Sequence, residues 1–385
     1  MGEYPKKNYF KSDEINIPKR NSLVIEKIIG SGGFGSVYKS KYGKETVAVK
    51  IIKNKDNGIP YLTELSIMSK TFSSPNSKYL NSAIKILLRD NIIYIIQPLA
   101  LSDLKNYMEH NYISFGNKKR GISQIVSGMM FLHSIGILHL DIKPGNILIY
   151  PQINQGRYSE STIWKLSDFG ISKTNGGLSQ KGVCTNRYRP LEVWNIGING
   201  LFLTPNIDYW SLGCTIHEII YDTPIFESQS KCPKENQKQS YTKAIEEFNK
   251  LIFNTPLKSD ANLGVCEISY NKPNIKYIKS KKDPIAIILK HMMYYIPEKR
   301  NIIELCDYLN LVYLSPQTLP IESMVKKIKK SYIKAGGKKS HDTDIILEWM
   351  CKKIDNPLST KPDISLYKLL LTERNILSTL NYSII

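Results

Sequence analysis

Apolar and polar positions fall into two regimes along the chain. From Leu23 the runs LVIEKIIG, SVYKSKYG and ETVAVKIIK are short, β-branched and separated by glycines, which predicts an antiparallel meander. A helical stretch is predicted near Tyr61–Thr71, with Leu62, Leu65 and Met68 on one face. Strands are predicted again at Ile84–Leu88 and Ile92–Gln97. Beyond Pro98 the period changes. Gly121–Ser134 and Asp208–Tyr221 read as apolar helices, and the regions around Ile285–Tyr295 and Ile302–Val312 read as helical as well. Strands followed by helices define an α+β chain of two lobes, 23–98 and 99–312, with a hinge near Pro98–Leu101. Residues 1–22 read as a basic N-terminal arm, and 227–283 as a polar, weakly patterned insert. Residues 313–385 read as a basic extension with a helical stripe at Ile345, Ile346, Trp349 and Met350.

Composition narrows the class without naming a function. Of 385 residues, 42% are hydrophobic and 23% charged, which is ordinary globular usage. Lys and Arg number 53 against 34 Asp and Glu, a formal charge of +19. That balance suits anionic partners, and equally a solvated lysine-rich surface. The lysines cluster at 272–282 and 326–339 with few aromatics between them, so binding of nucleic acid is poorly supported. The opening MGEYPKKNYFKSDE has no apolar centre, and Lys6 stands where a myristoylation signal needs a hydroxyl. No uninterrupted apolar run approaches the roughly 18 residues a membrane span requires. Six scattered cysteines with no CxxC pair suggest neither zinc nor disulfides. The expectation is an intracellular protein, cytoplasmic or nuclear.

Four motifs carry candidate chemistry. In Gly30-Ser31-Gly32-Gly33-Phe34-Gly35-Ser36-Val37 the glycines allow backbone N–H groups to approach phosphate oxygens. Strand continues on both sides of this loop. It therefore reads as a hairpin lying over phosphates, not as the helix-opening loop of a dinucleotide site. Lys50 ends the apolar strand Val47-Ala48-Val49, where an ammonium needs an anion, and Glu64 lies in the next predicted helix as a candidate partner. In His139-Leu140-Asp141-Ile142-Lys143-Pro144-Gly145-Asn146 a carboxylate, an amine and an amide stand at fixed spacing between apolar runs. Asp141 can take a proton from a hydroxyl, Lys143 can neutralise a transferred phosphoryl group, and Asn146 can reach a divalent metal. Asp168-Phe169-Gly170 follows a short strand and offers a carboxylate to a metal.

In this order the motifs resemble those of eukaryotic-type protein kinases, over about Leu23–Val312. Asp208-Tyr209-Trp210-Ser211-Leu212-Gly213 and Pro297–Arg300 resemble later family segments. Gly58-Ile59-Pro60, Phe253–Pro256 and Thr185…Tyr188-Arg189 resemble the branch of cyclin-dependent and MAP kinases. The resemblance implies a bilobal fold with a β-rich N-lobe and an α-helical C-lobe. It implies ATP and Mg²⁺ as cofactors, and Ser/Thr hydroxyls of protein substrates as acceptors, with a preference for a following proline. A cyclin-like regulatory subunit is a partner the branch implies.

By the same resemblance Ile29, Val37, Ala48 and Leu148 would enclose adenine, and the hinge at Leu99 and Ala100 would bond it. Lys50, held by Glu64, would meet the phosphates. Asn146 and Asp168 would hold the metal, and Asp141 and Lys143 would be catalytic. Thr185, Arg189 and Glu192 would shape the substrate loop, with Glu192 paired to Arg300. Met68, His139 and Phe169 would stack between the lobes. Three positions depart from the family pattern. Leu191 replaces a proline, Leu140 replaces the arginine before the catalytic aspartate, and Gln97 is polar where the residue before the hinge is usually apolar or bulky. With Leu140 there, phosphorylation of the segment 168–192, for which Ser179 is the best-placed hydroxyl, is expected to be dispensable. The rival reading is a catalytically silent kinase fold acting as a scaffold, against which stand Lys50, Asp141, Asn146 and Asp168.

Overall fold

The computed structural model describes residues 14–15, 23–32, 35–53, 77–89, 92–154, 157–180, 182–228, 234–253, 268–270, 283–316 and 383–384. The N-terminal half of the fold is a seven-stranded sheet. Its strands are β1 (Glu14–Ile15), β2 (Leu23–Gly32), β3 (Gly35–Tyr42), β4 (Glu45–Lys53), β5 (Lys85–Arg89), β6 (Ile92–Pro98) and the distant β16 (Ser383–Ile384). They lie in the order β1-β2-β3-β4-β6-β5-β16, antiparallel except for β16, which runs parallel to β5. Alternation along these strands divides their side chains between two faces. Leu23, Ile25, Val47, Val49, Ile51, Leu87, Tyr94 and Ile96 form a small core on one face. Ile93 and Ile95, on the other, join the main core of the molecule.

The two ends of the sheet differ from the sequence expectation. A piece of the basic N-terminal arm, β1, pairs with β2 through Glu14 opposite Val24 and Ile15 opposite Leu23. Of the C-terminal extension only 313–316 and β16 are described, and neither is helical. The stripe at Ile345–Met350 lies outside the described residues, as do the helix predicted at Tyr61–Thr71 and its Glu64 and Met68.

Past the hinge the chain becomes helical. Helix α1 (Leu104–His110) starts where Asp103 accepts from the backbone N–H of Asn106. Helix α2 (Phe115–Ser134) buries Ile122, Ile125, Val126, Met129 and Leu132 and contains the apolar helix expected at Gly121–Ser134. Gly121 belongs there because a Cβ would meet the Trp164 ring at 2.3 Å. Strands β7 (Ser102–Asp103), β9 (Ile147–Asn154) and β10 (Arg157–Leu166) form a second sheet, order β10-β9-β7. Beneath lie the short α3 (Leu191–Trp194), α4 (Pro205–Tyr221), α5 (Lys234–Phe253), α6 (Pro284–Met292) and α7 (Ile303–Leu309). Helix α4 is almost wholly buried from Ile207 to Ile219.

Helix α5 corrects the reading of 227–283 as weakly patterned. Tyr241, Ala244, Ile245 and Phe248 are buried in the main core. Their spacing of three, four and seven is helical. The many Lys, Asn, Gln and Glu residues between them obscured it. Flanking α5, β14 (Phe226–Ser228) pairs with β15 (Ile268–Tyr270).

Candidate active site

The floor of the cleft is built by the loop between β8 (Ile137–Leu138) and β9. Asp208, fully buried in α4, anchors it. Its carboxylate accepts from His133 Nε2, from the His139 N–H and from the Leu140 N–H, each at 2.8 Å. Burial opposes charge on Asp208, but His133 beside it and these donors hold its carboxyl below the usual carboxylate range. Those bonds let Leu140 take a left-handed backbone (φ 65°), which turns Asp141 into the cleft. Sequence reading placed the Asp208–Gly213 motif but not this role. An aspartate inside an otherwise apolar helix was the available signal.

Asp141 is surrounded by donors. Its Oδ2 accepts from Lys143 Nζ at 2.7 Å and from Asn146 Nδ2 at 2.8 Å. Its Oδ1 accepts from Thr185 Oγ1 at 2.7 Å and from the Thr185 N–H at 2.9 Å. Lys143 also donates to Thr185 Oγ1 at 2.7 Å, closing a triangle. Burial raises the Asp141 pKa, but the adjacent Lys143 charge, with hydrogen bonds from Lys143 and Thr185, outweighs it and leaves the carboxyl below its usual range. A carboxylate in that state is ionised at neutral pH and can accept a proton.

Asp168 has φ 63° and a half-exposed carboxylate. Its Oδ1 accepts from Lys50 Nζ at 3.0 Å, a contact that joins the N-lobe strand β4 to the floor. Glu64 lies outside the described residues. Phe169 is fully buried and meets the His139 ring edge-on at 5.5 Å. Asn146 donates both described bonds through Nδ2, to Asp141 Oδ2 and to the Asp141 carbonyl, which leaves its Oδ1 as an acceptor. One amide oxygen and one carboxylate are hard oxygen donors that suit Mg²⁺, an ion that takes few protein ligands and completes its shell with phosphate and water. Among the described residues no group of three or more His, Cys, Asp or Glu could hold a metal ion.

The roof is the β2–β3 hairpin. Gly30 faces Val37, Ser31 faces Ser36 and Gly32 faces Gly35, with Gly33 and Phe34 outside the described residues. Gly35 has φ 136°, and a Cβ would lie 2.5 Å from the Ile51 carbonyl, so only glycine fits. Ile29 is 47% exposed, Val37 half-buried, Ala48 buried and Leu148 half-buried, so the residues expected around adenine line a partly open cleft. Leu99 and Ala100 follow β6 as half-buried hinge residues.

The substrate loop is tied down from several sides. Arg300 is buried and forms a bidentate pair with Glu192, at 2.6 and 3.0 Å, while its guanidinium lies over Trp210 at 4.9 Å. Cys184 is left-handed (φ 65°), and its carbonyl accepts from Arg189 Nε at 3.2 Å and Nη2 at 2.7 Å. Arg189 Nε also reaches the Val183 carbonyl at 2.8 Å, and the guanidinium stacks over Trp194. Asn186 donates to Gln237 of α5 at 2.7 Å, and Trp194 stacks on Tyr241 of the same helix at 5.2 Å. These contacts of Cys184 and α5 were not read from the sequence. Ser179, the best-placed hydroxyl of the segment 168–192, is only 2% exposed in β12 (Leu178–Ser179), which pairs with β13 (Leu201–Phe202). Leu140 is enclosed by Leu138, Val183, Cys184, Val193, Leu203 and Ile207.

A half-buried, charge-balanced aspartate beside a lysine and an asparagine, together with a second aspartate held by Lys50 and a glycine hairpin, suits phosphoryl transfer of the ATP-dependent kind. The sequence profile of the protein kinase domain matches residues 23–309, about three quarters of the chain. The chain belongs to the protein kinase family, in its serine/threonine class and resembling the cyclin-dependent branch. It is 31% identical over 222 residues to an Encephalitozoon cuniculi protein named as a probable cell division protein kinase, covering 56% of this chain and 76% of that one. A mimivirus protein of Acanthamoeba polyphaga named as a serine/threonine-protein kinase is 26% identical over 347 residues, 86% of this chain and 54% of its own length. A Dictyostelium discoideum protein named as a probable cyclin-dependent serine/threonine-protein kinase is 34% identical over 223 residues, 52% of this chain and 14% of its own. No helix among the described residues is long and apolar enough to cross a membrane.

Proposed function

We propose that this kinase moves the γ-phosphate of Mg-ATP to Ser or Thr hydroxyls of protein substrates, and that it prefers proline directly after the acceptor. The Asp141 carboxylate, saturated by Lys143, Asn146 and Thr185, carries the reading. In it Asp141 orients the acceptor hydroxyl and takes its proton, a role worth about 10²–10⁴-fold. Lys143 steadies the transferred group, and its bond to Thr185 keeps the amine over the acceptor position. Lys50 meets the phosphates, and the backbone N–H groups at Gly30–Gly35 cover them. Ile29, Val37, Ala48 and Leu148 hold the base, with hinge backbone at Leu99 and Ala100 bonding its edge. Asn146 and Asp168 hold Mg²⁺, which would neutralise phosphate charge. Arg300 and Glu192 fix the end of the substrate loop.

Preference for proline follows from Cys184. Its left-handed backbone and its two bonds to Arg189 commit its carbonyl to the protein. A substrate residue bearing an N–H beside that carbonyl gains no acceptor there, whereas proline has no N–H to satisfy. Protein substrates are the partners this reading needs. A cyclin-like subunit is what the branch suggests, and activity of the purified chain alone would exclude dependence on one.

The test is a peptide-library phosphorylation profile with Mg-ATP, run beside Asp168→Asn. Phosphoserine or phosphothreonine followed by proline, lost in the variant, supports the proposal. Phosphotyrosine, indifference to proline, or full turnover by a folded Asp168→Asn would overturn the respective part.

A further inference from the structure

Among the described residues, the buried side chain of Gln97 faces the cleft without a hydrogen-bond partner. In the antiparallel pair of β4 and β6, Ala48 stands opposite Gln97 and Lys50 opposite Ile95. Opposed residues share a face and alternate residues return to it, so Ala48, Lys50, Ile95 and Gln97 point the same way. That way is into the cleft. Lys50 reaches Asp168, and Ile95 packs in the core that holds Phe169, while Val47, Val49 and Ile96 belong to the separate core behind the sheet. Gln97 is 8% exposed, and its side chain makes no hydrogen bond among the described residues. Its carboxamide is not sealed away, since it is absent from the enclosed unpartnered atoms. An amide kept so nearly buried without a partner is costly, unless a ligand completes it.

The neighbouring backbone leaves work for it. Pro98 has no N–H, and its carbonyl is already approached by the Tyr150 hydroxyl at 3.2 Å. The Leu101 N–H is committed to the Ile149 carbonyl at 2.8 Å. The hinge is therefore short of free polar groups beside Gln97.

We infer that Gln97 is a specificity-determining residue whose carboxamide reads the purine base. This rests on the cleft binding ATP. Adenine presents a donor at its 6-amino group next to an acceptor at N7, which a carboxamide matches with Oε1 and Nε2 together. Guanine presents two acceptors, O6 and N7, so either orientation of the amide leaves Oε1 against a lone pair. Gln97 thus selects adenine nucleotides by the edge that the hinge backbone does not read.

The experiment compares kcat/KM for ATP, GTP and 7-deaza-ATP, which lacks only the N7 acceptor, in the wild-type chain and in Gln97→Met and Gln97→Glu. The wild type is expected to prefer ATP over 7-deaza-ATP by about tenfold, the scale of a purine-edge contact. Gln97→Met, similar in length but without donor or acceptor, should bring that ratio close to one and narrow the preference for ATP over GTP. Gln97→Glu keeps the acceptor for the amino group and should likewise lose sensitivity to N7. Equal use of ATP and 7-deaza-ATP by the wild type, which needs no variant to fold, would overturn the inference. So would an unchanged ratio in a folded Gln97→Met. Absence of any ATP turnover in the wild type would instead sink the kinase reading, and calorimetric binding of the same nucleotides would still measure the Gln97 ratio.

Discussion

The two walls of the cleft are held by different means. On the floor, Asp141 has four donors, Asp208 fixes the loop that carries it, and Arg300 locks Glu192 below. On the roof, Ile28 and Ile29 are half exposed, the hairpin narrows to glycines, and Lys50 reaches the floor through Asp168. Polar networks that are fully satisfied set one geometry, whereas a glycine hairpin with little buried apolar surface opens at low cost. On the proposed reading the floor is set for the acceptor hydroxyl before nucleotide binds, and the roof is completed by the nucleotide.

Breaking the floor should have the largest effects. Asp141→Asn should lower phosphoryl transfer by about 10²–10⁴-fold while nucleotide affinity stays near wild type. Turnover and calorimetric binding measured together check this, and near-normal turnover in the folded variant would refute it. Asp208→Ala strips one acceptor group from His133 and two backbone N–H groups in a fully buried place. Loss of a buried charged partner costs about 3–5 kcal/mol. Urea unfolding should show that loss together with loss of activity, and a change below about 1 kcal/mol would mean the loop is pinned by something else.

A subtler change sharpens the same contrast through pH. Burial pushes the Asp141 pKa up, while the Lys143 charge and hydrogen bonds pull it below the usual range. A base with a lowered pKa works above that pKa and fails as pH falls through it. In Lys143→Met the upward pull of burial remains and the main opposing charge is gone. The acid limb of kcat/KM should therefore move to higher pH than in the wild type. An unmoved or lower limb would show that Lys143 does not set the charge of Asp141.

The smallest effect is expected where phosphorylation might have been sought. Ser179 is buried in β12, and Leu140 beneath the segment packs among Val183, Cys184, Val193, Leu203 and Ile207 instead of offering a cation. Backbone bonds from the Gly176 N–H to the Leu203 carbonyl, and from the Leu203 N–H to the Gly177 carbonyl, add to this hold. Phosphatase treatment and Ser179→Ala should leave activity in place. A large drop in both, restored by rephosphorylation, would contradict it.

The floor was more legible in the sequence than its supports. Asp141, Lys143 and Asn146 lie within six consecutive positions, so their coming together could be read as one motif. The glycine hairpin was legible for the same reason. Asp208 was not assigned its role, because it acts on a loop about seventy residues upstream and only folding brings them together. The left-handed backbone at Cys184 left no mark in residue type, since a cysteine carries none of glycine's usual signal. Helix α5 was hidden because its buried stripe of Tyr241, Ala244, Ile245 and Phe248 is narrow and its other faces are highly polar. Gln97 could be noticed in the sequence as unusual, but only the β4–β6 register turned it towards the cleft.

Hydrogen exchange of the wild-type backbone, with and without Mg-ATP, tests the contrast between the walls most directly. Without nucleotide, residues 137–147 and 183–192 should already be protected while 28–32 and 35–37 exchange quickly, and Mg-ATP should slow exchange mainly in 28–32 and 35–37. A floor that exchanges as fast as the hairpin until nucleotide is added would contradict the account.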